Sequence, residues 1–145
     1  MAAHAGAGLR SPRETAGHVV ATLVNALLLS AAPNLVAWGF PLVTDRWYEV
    51  VWVLMISLQI TILGHALLLA FDPLWFRRVV DVVRTAVALP VAYLMWQVYP
   101  FDFGASDPIA RFALLVAIFG VGVALIVSTI AAIVEIGRAS LRPES

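Results

Sequence analysis

Long apolar runs alternate with short polar breaks along the whole chain. The first run, residues 18–40, contains no Asp, Glu, Lys or Arg, and the second, 47–71, has only Glu49 at its start. The third, 73–99, carries Arg77, Arg78, Asp81 and Arg84 in its first half and no formal charge from Thr85 onward. The fourth, 108–136, is bracketed by Arg111 and Glu135. A helix needs about 20 residues to cross a hydrocarbon core of ~30 Å, so each run is long enough to span. The pattern predicts an all-α, polytopic membrane protein: a four-transmembrane-helix bundle over residues 15–138. Residues 1–14 and 139–145 are left as tails, with 1–14 flexible.

The breaks have helix chemistry of their own. Asp72-Pro73 and Asp107-Pro108 each set an N-capping residue before a proline, which loses nothing at the first helical position. Pro33 and Pro90 fall inside runs one and three, where kinks are expected because neighbouring helices can satisfy the freed carbonyls. Trp38, Trp47, Trp75, Trp96, Tyr48 and Tyr99 lie near the ends of the runs, where amphipathic rings favour the membrane interface. The run after Arg10 and Arg13 reaches Ser30-Ala31-Ala32 in the manner of a secretory signal, but it continues past Pro33 to Trp38. Retention as a span is therefore expected.

Composition sharpens this picture. Of 145 residues, 62% are hydrophobic and 12% charged, about half the charge of an ordinary soluble domain, roughly 25%. Net charge is zero, which gives no basic field for nucleic acid, and the absence of Cys removes disulfides and thiolate metal sites. With four spans, Arg10, Arg13, Arg77, Arg78, Arg84, Arg138 and Arg142 share one side of the membrane, and only Arg46 and Arg111 lie on the other. The bias places both termini in the cytoplasm of a multi-pass cell-membrane protein, of the kind common in bacterial inner membranes.

Polar residues within the spans are the best pointers to function, because lipid makes them costly. Measured at 1.5 Å per residue from the cytoplasmic ends of the runs, Asn25 is about 10 Å deep, His65 about 9 Å and Asp81 about 12 Å, with Ser128 at a similar depth. The common depth predicts a cytoplasm-facing polar pocket formed by Asn25, His65, Asp81 and Arg84, with Asp81 and Arg84 paired at helical spacing. On the fourth run, Ala113, Ala117, Gly120, Ala124 and Ser128 recur at close to four-residue spacing, a stripe suited to close helix packing.

Other chemistry is less well supported. His18 counts as near the surface, about 9 Å shallower than His65, which argues against a haem between them. His65 and Asp81 offer two metal ligands with no clear third, so no metal or cofactor is expected. No phosphate loop, nucleophile elbow or zinc helix motif occurs, and the loop 100–107 is too short for a catalytic domain. The expected role is not enzymatic: an accessory, assembly or structural subunit of a membrane complex or homo-oligomer. The alternative is a small channel or transporter for protons, ions or a small polar ligand using the pocket. Expected partners are the lipid bilayer and other membrane subunits, with no nucleic acid.

Overall fold

A computed structural model describes residues 12–71 and 73–140. The described chain is helical, with four helices long and apolar enough to cross a membrane: α1 Pro12–Ala31, α2 Val51–Ala70, α3 Leu74–Val98 and α4 Asp107–Ser140. No strand occurs among the described residues; one isolated antiparallel bridge joins Val43 to Phe101. Each helix packs chiefly on its neighbour in sequence. The α3–α4 contact is the most extensive, α1–α2 follows, and α2–α3 is the slightest of the three. Short connections make successive helices run in opposite directions. The bundle thus has a loop end, made by residues 32–50 and 99–106, and a tail end, where α1 begins and α4 finishes.

The loop end holds most of the true core. Ala32, Trp47, Val50, Val51 and Met95 are buried together, backed by Leu35, Val36, Leu94 and Phe101. Trp47 donates its indole N–H to the Ala32 carbonyl at 2.7 Å. That carbonyl belongs to the turn Ala32–Asn34 containing Pro33, where α1 has already ended. Pro33 therefore helps stop the helix and does not kink it: proline has no N–H to donate and disfavours helical geometry in the residue before it. Gly39, at φ +67, completes the reversal, a conformation that a residue without Cβ adopts freely. The loops are then sewn to one another. Thr44 donates both its N–H and its hydroxyl to Pro100 O, at 2.9 and 3.1 Å, and Asp102 N–H reaches Leu42 O at 3.2 Å. Pro90, by contrast, is accommodated within a continuous α3.

Two helix starts differ from simple capping. Pro73 is the extended residue before α3, so the helix begins one position later, at Leu74; Asp72 lies outside the described residues. Asp107 looks backward, its carboxylate accepting Phe103 N–H and the Tyr99 hydroxyl, each at 2.9 Å. These bonds hold Tyr99, which ends α3 in the left-handed region at φ 47, an uncommon conformation for a bulky residue. The guanidinium of Arg111 sits 4.1 Å above the Tyr99 ring. Burial and the Asp107 hydrogen bond push the Tyr99 phenol above its ordinary range. Residues 12–14, read as tail from the sequence, form the first turn of α1, and residues 139–140 the last of α4.

Candidate intramembrane polar site

Midway along the bundle, α2 and α4 stand apart over α3 and leave an open groove. Its cavity of about 470 Å³ is lined by Ser57 and Thr61 of α2, Asp81, Arg84 and Thr85 of α3, and Ala124 and Ser128 of α4. Four hydroxyls and two opposite charges thus line a space between otherwise apolar helices. Thr61 and Thr85 donate to the carbonyls of Ser57 and Asp81, which satisfies their protons and leaves their oxygens as acceptors. Arg84 and Asp81 approach at 3.8 Å, one turn apart on α3. Their side chains are 33% and 46% exposed, so the pair faces the groove without being enclosed by it. Arg84 Nε is buried with no acceptor among the described residues.

The stem of Arg84 is placed by a glycine. A Cβ on Gly64 would lie 3.0 Å from Val80 Cγ1 and 3.5 Å from Arg84 Cδ. Here α2 comes close enough to α3 for the arginine to run along it and turn its head into the groove. Depth counted along α3 puts Asp81 about 10 Å and Ala88 about 21 Å from its start. A single charge near the bilayer centre costs about 2.5–3.5 kcal/mol on insertion scales, so this pair needs company.

The four residues expected to share a pocket are distributed otherwise. Asp81 and Arg84 line the groove, together with Ser128. Asn25 turns its amide back to the Ala21 carbonyl of its own helix at 2.7 Å. His65, only 5% exposed, points to α1, where its Nδ1 meets Nδ1 of His18 at 2.9 Å. The geometry of α2 explains the parting. A four-residue step advances about 400°, an overshoot of about 40°, so two steps from Ser57 carry His65 about 80° around the helix.

His18 is the residue that depth counting misplaced. The sequence reading began the first span at His18, but α1 begins at Pro12. That puts His18 about 9 Å along the helix, level with His65. The signal was present in Ser11-Pro12-Arg13-Glu14, which has the Ser-x-x-Glu form of a capping box with proline at the first helical position. A bond between two Nδ1 atoms requires one imidazole to donate and the other to accept, so the contact is compatible with at most one charged ring. A separation of 2.9 Å is that of a direct hydrogen bond. Among the described residues, no group of three or more His, Asp or Glu side chains is arranged to hold a metal ion.

The small-residue stripe also sits apart from the seam it was expected to fill. The half-buried line Leu114, Ile118, Val121 and Leu125, continued by buried Ala132, is the face α4 lays on α3. Ala113, Ala117, Gly120 and Ala124 lie beside that line and are exposed, and a Cβ on Gly120 would meet nothing within 4 Å. A third face of α4 carries Ile109, Phe112, Val116, Phe119, Val123, Ile126, Ile130 and Ile133, each at least 45% exposed.

No protein family, no curated protein and no solved structure matches this chain.

Proposed function

We propose that this chain is an integral membrane protein with both termini in the cytoplasm, acting as an accessory or assembly subunit of a larger membrane complex and not as an enzyme. The observation that carries the reading is the open groove at mid-bundle, where Asp81 and Arg84 stand between apolar helices. Hydrocarbon cannot satisfy these groups, and a neighbouring membrane subunit can. The orientation rests on the arginine bias: Arg77, Arg78, Arg84 and Arg138 on the tail-end side, against Arg46 and Arg111 on the loop-end side. Purification in mild detergent tests the role. Stoichiometric co-purifying membrane subunits, or the chain's own copies, are expected; a solitary monomer overturns it. Reporter fusions at Arg46, Arg78, Gly104 and the C-terminus test the orientation, and a periplasmic C-terminus overturns that part.

A second reading has one specific support. The His18–His65 bond places a protonatable pair across α1 and α2 at the depth where the groove begins, as a proton path would require. Proton or ion flux in reconstituted vesicles, lost in both Asp81→Asn and His65→Ala with folding intact, would favour a channel or transporter. Absence of flux in the native protein leaves the subunit reading in place.

A further inference from the structure

The groove does not end where its polar lining ends. Ser57 also lines an apolar furrow of about 240 Å³ between α2 and α3, with Trp52, Val53, Ile56, Val87 and Pro90. The polar cavity lies nearer the tail end, and the furrow continues from it toward the loop end. Along α3, Asp81 and Arg84 stand about 10 and 15 Å from the helix start, and Val87 and Pro90 about 20 and 24 Å. Cavity and furrow make one surface, polar in the tail-end half and apolar through the middle of the bundle. A lipid of the tail-end leaflet has the same polarity, with its head outward and its chains toward the bilayer centre.

We propose that this surface holds one phospholipid of the tail-end leaflet whose head is zwitterionic with a primary ammonium, as in phosphatidylethanolamine. Its ammonium lies against Asp81, its phosphate against Arg84, and an acyl chain runs along the furrow. The order along α3, carboxylate, guanidinium and then apolar furrow, repeats the order ammonium, phosphate and chain in such a lipid. A head laid antiparallel to the Asp81–Arg84 pair matches both members and brings no net charge into a low-dielectric site. An anionic head without an ammonium would leave Asp81 unmatched. Hydrogen bonding narrows the class further. Thr61 and Thr85 have given their protons to backbone carbonyls, so their oxygens join the Asp81 carboxylate as acceptors lining the cavity. A primary ammonium has three N–H donors for them, and a quaternary ammonium has none. The phosphate meets the guanidinium in a charge-assisted bond, and the hydroxyls of Ser57 and Ser128 are further donors. The site is deeper than the ordinary headgroup level, as suits an intramembrane arginine, around which the bilayer thins. Because α2 and α4 stand apart, the lipid enters sideways. The inference does not require the subunit reading, since a lipid head, unlike its hydrocarbon chains, can itself satisfy the two charges.

Lipid retention by the full chain tests this without any substitution. The protein is purified in mild detergent and washed free of lipid. It is then incubated with phosphatidylethanolamine, phosphatidylcholine or phosphatidylglycerol of identical chains, and bound lipid is counted per chain by native mass spectrometry. One phosphatidylethanolamine per chain is expected, retained several-fold better than either of the others. Equal retention of phosphatidylglycerol overturns the zwitterion match, and equal retention of phosphatidylcholine overturns the ammonium contacts. Glycerophosphoethanolamine, the same head without chains, is expected not to displace the lipid at equal concentration; displacement overturns the furrow's part and makes the cavity a site for a free polar solute. Ala124→Leu adds bulk to the cavity wall at an exposed helical position without touching a charge, and is expected to lower retention several-fold with helix content unchanged. Undiminished retention places the lipid elsewhere and overturns the site. Co-purifying subunits are read in the same preparation before washing, so failure of lipid binding and failure of the subunit reading are told apart.

Discussion

Replacing Gly64 with alanine adds one methyl group at a close approach of α2 to α3. Two effects oppose each other. Alanine is the better helix residue by about 0.8–1.0 kcal/mol, which stabilises α2. The new Cβ, however, would stand 3.0 Å from Val80 Cγ1, inside the 3.5–4.0 Å of an ordinary carbon contact. Val80 is buried and branched at Cβ, so it has few rotamers into which to retreat. Overpacking of this kind costs about 1–3 kcal/mol, so Gly64→Ala is expected to lose up to about 2 kcal/mol net. Gly122→Ala supplies the control, because a Cβ there meets nothing within 4 Å. It keeps the helix gain of about 1 kcal/mol without the clash. The difference between the two variants, about 1–3 kcal/mol, is the cost of the close approach itself. Equilibrium unfolding in mixed detergent micelles, followed by circular dichroism and extrapolated linearly, measures it. If both alanines shift stability equally, α2 and α3 are not in the contact described and the placement of Arg84 loses its support.

Three further outcomes are expected. Trp47→Phe removes the indole donor to the Ala32 carbonyl and destabilises the loop end by about 1–3 kcal/mol in the same unfolding assay; a native-like midpoint would refute the bond's importance. The raised Tyr99 phenol means the folded state holds its proton more tightly than the unfolded chain, so the contribution of Tyr99 to stability is constant below about pH 10 and is lost as pH rises through the folded value. Asp107→Asn is expected to lower that titration, leaving the part due to burial, as read by phenolate absorbance against a Tyr99→Phe blank; an unchanged titration contradicts the Tyr99–Asp107 bond. Arg84→Gln takes from Asp81 the guanidinium it meets at 3.8 Å and should destabilise the fold more than the double variant Arg84→Gln/Asp81→Asn, a comparison that equal losses would overturn.

Hydropathy made the number of helices and their approximate extents legible, because unbroken apolar runs report the surroundings of a whole helix. The same uniformity hid which way each helix is turned. Where nearly every residue is apolar, little distinguishes the side facing a neighbour from the side facing lipid. Ser57, Thr61 and His65 stand four residues apart along α2, yet the slow rotation of that row sends Thr61 to the groove and His65 to α1. The stripe on α4 was legible as a set of small residues, while its exposure was not, because exposure depends on where α2 stops short of α4. Helix starts mattered more than the apolar content suggested. Six residues at the beginning of α1 decided whether His18 counts as a surface group or meets His65. The loop end was the least legible part, since the pairing of Val43 with Phe101 and of Thr44 with Pro100 joins segments far apart in sequence.

That loop-end stitching gives the molecule the mechanics of a pair of tongs. Trp47, Thr44 and Pro100 form the rivet, and the arms are the start of α1 and the finish of α4. Displacement of an arm grows with its distance from the rivet. At the far end of a helix about 30 Å long, a rocking motion of about 10° moves the backbone about 5 Å. The His18–His65 bond lies well out along the α1 arm and ties it to α2, so it acts there with long leverage. Small forces at the tail end, from a bound partner or a second protonated imidazole, would therefore register as motion at the tips while the riveted end stays still.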